Sequence, residues 1–208
     1  MRFLRVLFPM NLQKRIRRAE EKVLDFDHRV HEHSEKRAGA GPNRALEVVS
    51  KLGDQPELRT IAGMLIAAGT LAESDRLVRA GARMMIAHEA ATAVKDAVKT
   101  KIDRKRPRSA NGRDEKKPKK GNHTTKEMTS FPSGHSAGAM AAARAFAREY
   151  PEYGVGAIGA ATLIAFLQVA RRAQYPSDVV AGLGLGLAAE AVVNGAWQAA
   201  SMDRRSST

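Results

Sequence analysis

Lys99 and Arg106 stand seven residues apart, just ahead of Pro107. Seven residues are two helical turns, so a helix ending at the proline would send both cations off one face. Phe131-Pro132-Ser133-Gly134-His135 then opens an Ala-rich segment. Ser133 can cap the new helix, and the free N–H groups of its first turn, with the helix dipole, make a place for an anion. His135 stands where a proton donor to a bound oxyanion would stand. Gln174-Tyr175-Pro176-Ser177-Asp178 is a second turn opening a helix, with proline in the first turn and a carboxylate four residues after a carboxamide. Cations, backbone donors, an imidazole and a carboxylate together describe oxyanion binding coupled to proton transfer.

Taken in order, Lys99-x6-Arg106-Pro107, Pro132-Ser133-Gly134-His135 and Tyr175-Pro176-Ser177-Asp178 resemble the three-part signature of the type 2 phosphatidic acid phosphatase and vanadium haloperoxidase superfamily. The resemblance covers roughly residues 43 to 200, and Ser50-Lys51-Leu52-Gly53-Asp54 is similar to a stretch found upstream in bacterial members. It implies an all-α helical bundle acting on phosphate esters. It also implies that Lys99, Arg106, Ser133 and Gly134 bind phosphate and that His135 protonates the leaving group. The family's third motif is Ser-Arg, five residues, His, three residues, Asp. Its His is the nucleophile that forms a phosphohistidine, its Arg is a third phosphate ligand, and its Asp, here Asp178, orients the His. Counting back from Asp178, those Ser, Arg and His positions hold Leu167, Gln168 and Gln174.

The departure has a chemical consequence. A carboxamide nitrogen delocalises its lone pair into the carbonyl, so Gln174 cannot attack phosphorus and the covalent route is closed. Gln174 still fills roughly an imidazole's space and can donate a hydrogen bond to Asp178, so the anion site can outlast the chemistry. Arg171 or Arg172, one turn beyond Gln168, is a candidate replacement for the lost guanidinium, against a plain surface role for both. His88, about three turns before Lys99, is too far along the axis to share its phosphate, and His123 is expected to be solvated in the basic loop. Haloperoxidase activity needs vanadate with the third-motif His as axial partner, and Gln174 argues against it. No metal or other cofactor is implied.

The elements that must position these groups read as helices. Leu12, Ile16, Ala19, Val23, Phe26 and Val30 recur at spacings of 3 and 4, the seam of an amphipathic helix capped by Asn11. His28, His31 and His33 do not share one face of it, which argues against a metal site. A short helical stretch is expected between the breaks at 38–42 and 53–56, and longer helices at 57–72, 75–102, 134–149, 153–173 and 176–200. No alternating strand pattern appears. Gly182-x-x-x-Gly186 is a weak signal for a helix partner. The chain divides into a basic amphipathic helix over 1–40, the bundle over 41–200 with a basic exposed loop at 107–130 inside it, and a polar tail over 201–208.

The 208 residues carry a net charge of +13 and no cysteine, which excludes disulfide scaffolds, thiolate metal sites and cysteine nucleophiles. A hydrophobic share of 43% suffices for a core. The stretch 99–126 holds twelve Lys or Arg against three acidic residues, and so carries most of the excess. Residues 1–18 carry six basic side chains and no acidic one, which suits an anionic membrane surface, a second helix, or simple packing on the domain itself. The opening MRFLRVLFPM is too short and too broken for a secretory leader and is expected to stay in the mature protein. Tyr153–Ala170 is charge-free over eighteen positions, the lower bound of a membrane span.

The function expected is recognition of a phosphorylated, lipid-type ligand at a membrane, a bacterial inner membrane by resemblance, with weak or absent phosphohistidine chemistry. The alternatives are an active phosphatase for lipid phosphates or isoprenoid pyrophosphates using another nucleophile, and a module that binds anionic lipid or polyanions. Nucleic acid is disfavoured, because His123 is the only ring between Arg106 and Ser130 and no aromatic platform is present.

Overall fold

The computed structural model describes residues 10–36, 50–110, 117–123, 125 and 127–206. The opening nine residues, most of the short helix expected before Gly53 and the centre of the basic loop lie outside the described residues. Among the described residues six α-helices make the fold: α1 Met10–Lys36, α2 Gln55–Leu71, α3 Asp75–Lys99, α4 Gly134–Glu149, α5 Gly154–Ala170 and α6 Pro176–Ser206. The sixth helix runs through much of what the sequence suggested as a polar tail. The expected all-α bundle is what the chain forms.

Helix α4 is the axis of the bundle, packed against α2, α3, α5 and α6. Its burial explains its composition. Ala137, Ala139, Ala141, Ala142 and Ala145 are almost fully enclosed, and alanine lets neighbouring backbones come close on several sides. Gly182 and Gly186 of α6 complete this contact. A Cβ on Gly182 would stand 2.5 Å from the Ser133 carbonyl oxygen, and one on Gly186 would stand 2.4 Å from that of Ala137. The Gly-x-x-x-Gly pair therefore serves packing within the chain, where the sequence had suggested a partner.

Two boundaries differ from expectation. Helix α3 stops at Lys99, where the Thr100 hydroxyl turns back to donate to the Ala97 carbonyl at 2.8 Å. Residues 102–106 then run extended. Ile102–Asp103 (β1) pairs antiparallel with Lys119–Lys120 (β2), and Arg104 bridges to Thr129. The loop is thus partly a ribbon: Met128 and Glu127 carbonyls accept from the Arg104 and Arg106 amides at 2.7 and 2.9 Å. Helix α5 stops at Ala170, and Arg172, at φ 56°, makes the left-handed turn that reverses the chain.

Helix α1 docks by polar residues. Asp27 and His31 are buried, whereas Ile16, Val23 and Phe26 of the expected apolar seam are about half exposed. Pro151–Ala170 and Pro176–Asp203 are long and apolar enough to cross a membrane, with mean hydropathies of 1.7 and 1.6. Of the most apolar eighteen residues in each, only 22% and 28% lie inside the fold, so most of that apolar surface faces outward.

Candidate active site

The chain ends of α3, α5 and the starts of α4 and α6 meet at one end of the bundle. Ser133 begins the junction: its N–H donates to the Asp178 carbonyl at 3.0 Å, tying the start of α4 to the first turn of α6. Its buried hydroxyl caps α4, accepting from Ser136 N–H at 3.4 Å and from the Ser136 hydroxyl at 2.8 Å. Gly134 and His135 are then the first two helical residues, whose N–H groups have no intrahelical acceptor. Lys95 packs beneath this turn, since a Cβ on Gly134 would stand 2.9 Å from its side-chain stem.

Lys99 and Arg106 do come together, but not as neighbours on one helical face. The extended segment carries Arg106 back toward the end of α3. Lys99 Nζ donates to the Thr129 carbonyl at 2.9 Å, and Arg106 donates to the Ala173 carbonyl at 3.2 Å. Burial, then Arg106 and Lys95, push the Lys99 ammonium down to about 8. Burial and the adjacent Arg108 also lower Arg106. Both groups are charged residues held at a cost that an anion would relieve.

His135 meets a residue to which the sequence reading gave no role. Its Nε2 closely contacts Asp54 Oδ1. Burial lowers His135, Asp54 opposes that, and Arg106 and Arg171 reinforce it. Arg171 also hydrogen-bonds the Ser50 hydroxyl, whereas Arg172 turns the other way, to Glu35 of α1 at 2.7 Å. Of the two arginines considered, Arg171 is the one beside His135.

Gln174 does not reach Asp178. Its amide is satisfied when the nitrogen donates to the Ser130 carbonyl at 2.6 Å and the oxygen accepts from Arg106 at 3.0 Å; the reverse orientation would set oxygen against oxygen. Asp178 is occupied otherwise. Its Oδ2 accepts from the Ser130 hydroxyl at 2.6 Å and the Tyr175 N–H at 3.1 Å, and its Oδ1 accepts from Arg104 at 2.5 Å. Arg104, buried to 1% exposure, also binds the Ser177 hydroxyl and Asp27 of α1, each at 2.7 Å, and lies 4.1 Å from the Tyr175 ring centroid. Burial opposes its charge, but Asp178 and Asp27 more than offset this and raise it. Arg104 and Asp27 were missed because nothing local marks them: one is a cation among twelve, the other an acid beside the apolar seam.

Of the remaining sequence candidates, Gln168 adjoins Gln174, whose N–H donates to its carbonyl at 3.2 Å. Gln168 is buried at the end of α5, and its side-chain nitrogen has no hydrogen-bond partner among the described residues. Leu167 is buried beside it. His88 sits inside the bundle against Gly138. His123 is not simply solvated, because its ring and N–H both engage Asp103. A recess between α1 and the α5–α6 turn, lined by Asp27, His31, Gln174 and Tyr175, contains neither Lys99, Arg106 nor His135, so it is not where the cations converge.

The family model of the PAP2 superfamily matches residues 80–201, more than half of the chain. The chain belongs to the PAP2 superfamily. Lipid A 1-phosphatases from Rhizobium etli and Rhizobium johnstonii are each 47% identical to it over 57 residues. That stretch is 27% of this chain and 25% and 23% of theirs, so the match spans about a quarter of the length of these curated relatives. A transmembrane PAP2-type phosphatidylglycerolphosphate phosphatase from Bacillus subtilis shares the fold, with a TM-score of 0.60 at 20% identity over 83% of this chain and 84% of that one. Counted back from Asp178, Leu167, Gln168 and Gln174 stand where the third motif described above has Ser, Arg and His.

Proposed function

We propose that this PAP2 protein binds a phosphorylated lipid at a membrane and lacks the phosphohistidine reaction. Lys99, Arg106, Gly134, His135 and Arg171 would surround the phosphate, with Ser133 holding the turn that presents the backbone donors. The observation that carries the reading is Gln174: a group without a usable lone pair bonds Arg106 and Ser130, while Asp178 is engaged by Arg104. The lipid character is supported by the outward apolar surface of Pro151–Ala170 and Pro176–Asp203 and by the exposed Ile16, Val23 and Phe26 on a basic helix. The activities named for the relatives make phosphatidylglycerolphosphate and lipid A 1-phosphate the first ligands to try, with phosphatidic acid and an isoprenoid pyrophosphate beside them. A bacterial inner membrane is the site proposed.

The test is phosphate release from that panel by the protein in detergent micelles, with orthovanadate binding measured in parallel. Binding without release is expected. Gln174→His combined with Gln168→Arg supplies a lone pair and a third guanidinium, and release should then rise by orders of magnitude and be lost again on His135→Ala. Robust release by the unmodified protein, insensitive to change at Gln174, would instead establish the second reading, attack by water with His135 taking its proton. The contact between His135 and Asp54 is what favours that alternative.

A further inference from the structure

Asp54 occupies the N-cap position of α2, where an aspartate ordinarily accepts from the backbone of the helix it starts, yet its side chain makes no cap hydrogen bond. It turns to His135 instead. The turn is shaped for that approach. Gly53 N–H and Asp54 N–H donate to the Ser50 and Lys51 carbonyls at 3.3 and 2.8 Å, folding the segment tightly. A Cβ on Gly53 would stand 2.5 Å from the Ile164 side chain and 3.6 Å from His135 Cβ, so only glycine brings this backbone so close to α4 and α5. Ser50, at the other end of the same turn, is fully buried and its hydroxyl meets Arg171. One five-residue segment therefore touches both the imidazole and the guanidinium that flank the motif residues.

We propose that the Ser50–Asp54 turn is a fourth working element of the anion site, in which Asp54 is a positioning residue for His135 and Ser50 seats Arg171 as the third guanidinium. This rests on the phosphate-binding reading above and names a part of the same site. With the Nε2 proton held by Asp54, the proton that His135 exchanges is the one on Nδ1. The groups facing the ring are Asp54 from the turn, Arg106 from the extended segment and Arg171 from the end of α5. Two cations disfavour the imidazolium and one carboxylate favours it. Asp54 opposes the lowering, so the imidazolium forms more readily than burial and the two cations alone would allow, and once formed it can bond an anion. Arg171 supplies the charge that Gln168 does not.

The experiment follows the ring resonances of His135 against pH, without ligand, in the protein in detergent micelles and in its Asp54→Asn and Asp54→Glu variants. Asp54→Asn keeps the shape and removes the charge, and should lower the His135 midpoint by about one pH unit, with Asp54→Glu recovering part of the shift. Isothermal titration with inorganic phosphate and orthovanadate is the second readout. Asp54→Asn, Arg171→Ala and Ser50→Ala should each weaken binding, by about tenfold for the first two and less for the third. An unchanged His135 midpoint in Asp54→Asn would reduce Asp54 to a helix-entry residue and overturn the inference. Wild-type affinity in both Arg171→Ala and Ser50→Ala would overturn its second half. If the unmodified protein binds neither anion while the midpoint still moves, the phosphate reading fails and the pairing of Asp54 with His135 stands.

Discussion

The two ends of the bundle carry similar numbers of arginines and use them in opposite ways. At the far end, the starts of α3 and the end of α4 are joined by carboxylates. Arg76 bonds both oxygens of Glu152 at 2.7 and 2.8 Å, Arg79 and Arg83 reach Glu149, and Arg148 bonds the buried Glu190. Hydrogen bonding to Glu190 raises the Arg148 pKa. At the site end, Lys99 donates to a carbonyl and Arg106 to a carbonyl and an amide oxygen, and both are pushed below their ordinary values. A cation stabilised by a carboxylate is structural; one destabilised by burial beside other cations is prepared for an anion that arrives later. Within the site end, Arg104 belongs to the first kind, because Asp27 and Asp178 hold it.

That distinction ranks the effects of substitution. Arg104→Met should be the most damaging, since it leaves two buried carboxylates without their shared partner, and a loss of about 3–5 kcal/mol is expected in thermal unfolding in micelles. Lys99→Ala or Arg106→Ala should leave the melting temperature nearly unchanged or higher, and should weaken phosphate or vanadate binding by about ten- to a hundredfold. A variant at Lys99 that melts lower but binds equally well would place it with Arg104 as a structural cation. Gly186→Ala should cost about 1–3 kcal/mol, because the added methyl meets the α4 backbone rather than a flexible side chain.

How much of this was legible depends on how local each signal is. The helices were readable because apolar runs of Ala, Leu and Val persist over many turns, and the three motifs because each is a continuous segment at a helix start or end. Arg106 lies near Lys99 by a route other than the expected one: helical periodicity would put both on one face, whereas Thr100 ends the helix and the ribbon with Lys119 and Lys120 returns Arg106. The partners of Asp178 were not legible. Asp27 lies 150 residues from Ser177 in the chain, and no periodicity links an acid on α1 to a turn before α6. Asp54 stood in a recognisable stretch, but nothing in that stretch marks its carboxylate as the partner of an imidazole 81 positions later, and only the contact with His135 shows it.

The pH dependence of binding sharpens the same comparison. Lys99 is charged below about 8 and neutral above it, so the free site loses one positive charge as pH rises through that value. Phosphate affinity should therefore fall above pH 8, beyond any change from the ligand's own titration. Lys99→Arg keeps its charge throughout, and should flatten that limb of the profile. An identical profile in Lys99→Arg would show that Lys99 does not sense the anion.

The smallest effect is expected at the far end. Arg76 and Glu152 are each 45% exposed, although their contact is bidentate and Arg76 also lies 4.0 Å from the Tyr150 ring centroid. In solvent their attraction is screened, and holding two long side chains in one geometry costs entropy that offsets much of it. A double-mutant cycle of Arg76→Ala and Glu152→Ala should give a coupling below about 1 kcal/mol, fading further in high salt, with phosphate binding untouched. Because this pair and the Arg104 cluster are both arginine–carboxylate contacts of near-ideal length, the difference between them isolates burial. A coupling at Arg76 as large as the loss at Arg104 would mean that the far end is itself desolvated, as it would be if it were set inside the apolar region of a membrane rather than at its edge.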